Sequence, residues 1–187
     1  SLDNIILTPH LGASTVEAQD AASIQISNQI SEFLKNGSIV NSVNMSSISG
    51  SEKKLLGPYL DLSYKLGTFA GQLTENAIKV ITIEYEGTAS MVNQDLLTRN
   101  IIHNLLGSFI DNVNSINAID IAKSRNIKIS TLQNDRPSEY NTLIRLTLTT
   151  DRRSRSVAGS IFGGQSRIVE IKGIKIDAEL GNFNVYL

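Results

Sequence analysis

The sequence predicts an α+β fold, with helices packed on a mostly antiparallel sheet and one further helix ahead of it. Three observations carry that reading. Long segments in the first two thirds place apolar residues at helical spacing, short apolar segments then follow one another from residue 128 to 178, and the pairs Gly163-Gly164 and Lys172-Gly173 punctuate the last of them.

In chain order, Asn4 to Leu7 is an apolar run halted at Thr8-Pro9, as a strand entering a loop would be. Ser14 stands three residues before Glu17, a capping-box spacing, and Ala22, Ile26, Ile30, Phe33 and Leu34 recur on one face until Gly37. A helix over 15–36 is expected, with that stripe as its buried side. Residues 41–50 are rich in Ser and Asn without periodicity and read as a surface connection between domains. Leu55, Tyr59, Leu62, Leu66, Phe69 and Leu73 predict a helix over 58–75, starting at Pro58 because proline suits a first turn. Ile81, Ile83 and Tyr85 alternate with polar residues, predicting a strand over 78–86. Leu97, Ile101, Leu105 and Ile110, then Ile116 and Ile119, predict two helices broken around residues 112–114. Strands are expected at 128–132, 144–148, 157–162, 167–171 and 174–178, with Phe183 to Leu187 as the beginning of another.

Composition limits the function classes. Hydrophobic residues make up 41% and charged residues 19%, as in a globular domain, while aromatics are only 5% and Trp is absent, so the core is aliphatic. A net charge of -1 offers nucleic acid and anionic membrane no clustered positive field. The absence of Cys excludes disulfides, thiolate metal sites and thiol nucleophiles, and fits a cytoplasmic location. No apolar run approaches the roughly 18 residues of a membrane span, and no signal segment opens the chain. The Ser at position 1 and the short alternating run at the end suggest a piece of a longer protein.

Thr8-Pro9-His10-Leu11-Gly12-Ala13-Ser14-Thr15 resembles the loop of D-2-hydroxyacid dehydrogenases in which a histidine is the acid/base. Imidazole suits that chemistry, because hydride transfer at a hydroxyl-bearing carbon requires a proton to be taken or given near neutral pH. The resemblance makes His10 the catalytic group and places His10, Leu11, Gly12 and Ala13 along the nicotinamide end of NAD. The family's orienting carboxylate and substrate-binding arginine would lie upstream of Ser1. The Gly-rich pyrophosphate fingerprint is missing, and neither Gly67 to Gly71 nor Gly159 to Gly164 joins a strand to a helix as it must.

Further along, Val43-Asn44-Met45, Leu66-Gly67-Thr68-Phe69-Ala70-Gly71-Gln72-Leu73, Arg155 to Gly163, Arg167 to Ile171 and Ile176 to Glu179 are similar to the longer bacterial-type phosphoglycerate dehydrogenases. On that resemblance residues 1–45 end the catalytic part, 46–180 form the intervening, or allosteric substrate-binding, domain, and 181–187 open a serine-sensing ACT domain. It implies an NAD-dependent parent oxidising 3-phosphoglycerate to 3-phosphohydroxypyruvate in serine biosynthesis and assembled as a homo-oligomer. This piece, lacking the upstream domains, is expected neither to bind NAD nor to turn over substrate.

Arg152, Arg153, Arg155, Arg167 and Lys175, with Lys172 beside them, could converge on an anionic effector through bidentate guanidinium contacts. The other reading is a solvated turn, since Asp151 begins the run and strand residues alternate faces, so Arg167 and Lys172 need not point the same way; where members of the resembled family bind anions in this domain, Ile174 and Glu179 stand in place of basic residues. His103 sits among apolar helix neighbours and reads as structural; two distant histidines make no metal site. Ser23, Ser27 and Ser31 lack the base and elbow of a nucleophile. The alternative to a dehydrogenase piece is a free-standing small-molecule or anion-binding module, in which the histidine loop is incidental.

Overall fold

The computed structural model describes residues 4–36, 38–43, 50–134 and 139–181, the side chains of 50–54 excepted. The chain divides into two units, Ser1–Lys53 and Lys54–Leu187. The boundary expected between 45 and 46, the glycine stop at 37 and the strand expected at 183–187 lie outside the described residues.

In the first unit, helix α1 spans Val16–Asn36 as expected. Its first turn is capped by Thr15, whose Oγ1 accepts from Ala18 N at 3.2 Å, rather than by Ser14. The hydroxyl that caps is the one three residues before an orphan N–H, and the helix begins one position later than the capping-box spacing suggested. Residues 5–9 are irregular, not a strand. A strand needs a neighbour for its backbone groups, and all six strands of the sheet lie in the other unit. The apolar stripe of α1 is not buried: no residue of the helix is, and Leu34 is 77% exposed. The spacing was helical, but the unit's described residues supply no second layer for it to pack on.

Helix α2 spans Gly50–Gln72, from Lys54 onward in the second unit, and holds Pro58 inside it, eight residues after its start, in place of the expected start at Pro58. Proline there forfeits one ladder hydrogen bond. The helix continues because Leu56 and Leu62, on either side, are both buried. Leu56 is the inward residue of that turn; Leu55 is 75% exposed. Strand β1 (Ile78–Gly87), a short 3₁₀ turn (Thr88–Ser90), α3 (Gln94–Gly107) and α4 (Ala118–Ser124) follow, then β2 (Lys128–Asn134), β3 (Thr142–Thr150), β4 (Ser154–Phe162), β5 (Gln165–Ile171) and β6 (Ile174–Glu179). Asn93 caps α3, its side chain accepting from Leu96 N at 3.2 Å, and α3 closes at Gly107, before Ile110.

The sheet order is β2-β1-β3-β4-β5-β6. Only β1 and β2 run parallel, because α3 and α4 carry the chain back between them; the other pairs are antiparallel. Both final hairpins turn on residues with positive φ, Gly163-Gly164 (56° and 83°) and Lys172-Gly173 (51° and 80°), the primed geometry that matches strand twist.

One sheet face meets the helices. Ile81, Ile83 and Tyr85 of β1, Ile144 and Leu146 of β3 and Val157 of β4 pack with Leu62 and Leu66 of α2 and Leu97, Ile101 and Leu105 of α3. Each such side chain contributes about 1.5–3 kcal/mol of transfer free energy. Gly67 and Gly71 let α2 and α3 touch, since a Cβ at either would stand 2.5 or 2.6 Å from the carbonyl oxygen of Ile101 or Leu105. Gly159 makes room for Leu62 and Leu66 in the same way. The opposite face carries a small cluster of Leu143, Ala158 and Val169 beneath Tyr140.

Candidate functional site

His10 lies in the irregular loop just ahead of α1. The loop is drawn tight by Ser14 N donating to Leu11 O at 3.1 Å, and Gln19 Nε2 reaches back to Ala13 O at 3.4 Å. His10, Leu11, Gly12 and Ala13 are all exposed, and a side chain at Gly12 would meet nothing within 4 Å. Among the described residues no carboxylate orients His10, and no group of three His, Asp or Glu could hold a metal ion. The loop can therefore offer an imidazole and a small-residue surface to a large flat ligand, but it contains no acceptor that fixes the imidazole and no charge that grips a substrate. The Gly-rich turn that cradles a dinucleotide pyrophosphate has no counterpart in the sequence.

The basic residues of the second unit occupy separate places. Arg152 is exposed at the β3–β4 turn. Arg153 pairs with Glu75 at 3.1 Å. Arg155 points to the helix side of the sheet, where its Nη1 donates to Leu73 O at 2.6 Å, just past the end of α2. Arg167 pairs with Asp177 at 2.6 Å. Its register partner is Ser160, on the opposite face from Gly159 and hence from Arg155, and five residues along β4, about 17 Å at strand rise. Lys175 is held by Glu139 at 2.5 Å, and that hydrogen bond keeps its pKa above the ordinary lysine value. Only Arg153 and Arg155, with Lys172 near Arg155, border the same groove.

Two features were not found from the sequence. Arg145 on β3 lies between carboxylates, bonded to Glu170 of β5 and 3.5 Å from Glu84 of β1, reaching over the small Ala158 of β4. Only strand register reveals that row. The second is a cleft of about 540 Å³ bordered by Glu75, Ile78, Phe109, Arg125 and Ile127, in which the Arg125 guanidinium has no ion-pair partner among the described residues. A lone Arg after a short helix gives no sequence signal.

An α-helical layer on one face of a mostly antiparallel sheet, preceded in the chain by a helix-and-loop segment bearing an exposed histidine, defines an α+β module in series with a second, separate unit. The family model for the D-3-phosphoglycerate dehydrogenase intervening domain matches residues 55–172. The chain belongs to the D-3-phosphoglycerate dehydrogenase family. It is similar to the D-3-phosphoglycerate dehydrogenases of Bacillus subtilis (32% identical, 92% of this chain and 33% of the relative), Methanocaldococcus jannaschii (32%, 94% and 34%) and Synechocystis sp. (31%, 98% and 34%). It thus spans about a third of the length of these relatives. No described helix is long and apolar enough to cross a membrane.

Proposed function

We propose that this chain is the part of an NAD-dependent D-3-phosphoglycerate dehydrogenase that supplies the catalytic histidine loop and the intervening domain, within a cytoplasmic homo-oligomer. The single observation that carries this reading is that the match to these dehydrogenases runs through both units, taking in 92% or more of the chain in the relatives named above. The exposed stripe of α1 supports it, since Ile26, Ile30, Phe33 and Leu34 form an apolar surface of the sort that marks a protein interface. In the whole enzyme NAD would supply the hydride acceptor, with His10, Leu11, Gly12 and Ala13 lying along its nicotinamide end. His10 receives the substrate hydroxyl proton at an imidazole nitrogen, and Leu11, Gly12 and Ala13 leave the approach to it open. The second unit holds catalytic and ACT domains in register, and the chain by itself neither binds NAD nor turns over.

The test compares this chain alone with the same chain joined to an upstream nucleotide-binding part of the family. The expected result is no NADH fluorescence change and no oxidation of 3-phosphoglycerate for the chain alone, activity for the joined protein, and a fall in kcat of about 10²–10⁴ for His10→Asn in the joined protein. Turnover by the chain alone, or full kcat in His10→Asn, overturns the reading.

A second reading, that this unit also takes an anionic effector, is favoured by Arg125 on the 540 Å³ cleft alone, since Arg152, Arg153, Arg155, Arg167 and Lys175 do not border it and the last four have other partners. Phosphate and 3-phosphoglycerate, titrated at low salt, should raise the melting temperature through Arg125; no change at millimolar ligand counts against it.

A further inference from the structure

We infer that strand β2 is a self-complementary edge on which a second copy of this unit docks antiparallel, joining two six-stranded sheets into one. β2 ends the sheet order, with β1 on one side and no strand on the other among the described residues. A free edge offers a row of backbone donors and acceptors, and edges that must stay single carry charges, bulges or prolines. The far edge, β6, has such devices. Lys175, Asp177 and Glu179 lie within its six residues, and its register on β5 is broken between Ile168 and Glu170. The seven residues of β2 instead run in unbroken register along β1. Lys128 is their only charge, and Thr131 to Asn134 are exposed, Leu132 at 50%.

Charge and register name the occupant. Glu86 of β1 is the register partner of Asn134 at one end of β2, and Lys128 stands at the other end, about 20 Å away at strand rise. Neither forms an ion pair among the described residues. A two-fold axis through Thr131 sets Thr131 against itself, Ser130 against Leu132, Ile129 against Gln133 and Lys128 against Asn134. No like charges meet. Each Lys128 then lies two strands from the Glu86 of the second copy, on the same sheet face, across Asn134. Arg145 already spans that separation, reaching Glu170 over Ala158. The axis makes the contact twice, so both unmatched charges of each copy are answered together. An in-register parallel approach would instead set Lys128 against Lys128. The pairing needs only this unit, and it stands or falls apart from the dehydrogenase reading.

The test uses this chain, which has no cysteine of its own. Sedimentation at rising concentration should show a monomer–dimer equilibrium, weak because one strand edge buries less than the roughly 1,000 Å² of a stable interface. Glu86→Lys and Lys128→Glu should each weaken the dimer about tenfold, and the two together should restore it. Under mild oxidation Thr131→Cys should give a disulfide-linked dimer, since directly opposed residues stand about 4.5–5.5 Å apart at Cα. Ser130→Cys and Leu132→Cys should cross-link when mixed, and neither by itself. A chain that stays monomeric at every concentration overturns the proposal, as does a Thr131→Cys protein that forms no dimer on oxidation. So does a dimer indifferent to both charge reversals, which is what association through the apolar stripe of α1 would give. Every substituted side chain lies outside the buried core, so the variants keep the fold.

Discussion

Gly67 stands so close to Ile101 that a Cβ on it would lie 2.5 Å from the Ile101 carbonyl oxygen. The glycines that could pass for a nucleotide-binding turn are thus a helix contact, with Gly71 repeating it one turn on against Leu105 O at 2.6 Å. Gly67→Ala gains helix propensity of about 1 kcal/mol but forces the helices apart, and overpacking of this kind costs about 1–3 kcal/mol. Backbone cannot step aside as a side chain can, so a net loss of stability is expected. Gly107→Ala, in the last turn of α3 with nothing within 4 Å, should instead stabilise by about 0.5–1 kcal/mol. Urea unfolding of the two variants checks the contrast: equal effects would show that α2 and α3 are not in contact.

The row Glu84, Arg145, Ala158, Glu170 crosses four neighbouring strands in register, with Lys175 opposite Glu170 on the fifth. Arg145 keeps two carboxylates from facing each other, and all three side chains are less than a third exposed. Arg145→Met should cost about 2 kcal/mol, the range for hydrogen bonds to charged groups. Combining it with Glu170→Gln should recover part of that loss. A double-mutant cycle in urea reads the coupling, and strict additivity would sink the ladder.

Element types were largely legible because local patterns fixed them. The Ile81-Ile83-Tyr85 alternation became β1, and Gly163-Gly164 and Lys172-Gly173 became turns, each from residues a few positions apart. What failed depended on a partner. The apolar run from Ile5 to Leu7 could not announce that no strand pairs with it, and Pro58 stayed inside α2 because Leu56 and Leu62 pack on either side of it. For the candidate site, the role of His10 is read from its loop by resemblance, whereas the separation of Arg155 from Arg167 follows from strand register and facing, which charge spacing does not encode.

Lys175 and Glu139 give a prediction without a stability claim at neutral pH. The Glu139 hydrogen bond raises the Lys175 pKa above 10.5, so any contribution is complete below the unfolded value and lost only as pH climbs past it. Both side chains are mostly exposed, at 65% and 67%, where ion pairs contribute little. Glu139→Gln should therefore return the Lys175 titration, followed by NMR, towards 10.5 and leave the melting temperature at pH 7 unchanged. A melting shift of several degrees would mean that the pair braces β6.

Tyr85 carries the last prediction. Its side chain is wholly buried, and its hydroxyl shares a 2.8 Å hydrogen bond with Thr98 Oγ1. Burial, the largest cause, pushes the phenol well above its ordinary pKa of 10.0, with the Asp95 charge adding to it and the Thr98 bond opposing it. The folded state therefore keeps its proton where the unfolded chain has begun to lose it. Stability from this group is intact below pH 10 and falls as pH rises beyond, because the unfolded state then binds fewer protons than the native one. Tyr85→Phe removes that alkaline slope. At pH 7 it should cost about 0.5–1.5 kcal/mol for the lost hydrogen bond, leaving the ring's packing in place. Unfolding free energies measured between pH 8 and pH 11 should thus converge for the two proteins as pH rises, and curves that stay parallel would show that Tyr85 ionises in the fold as freely as in the unfolded chain.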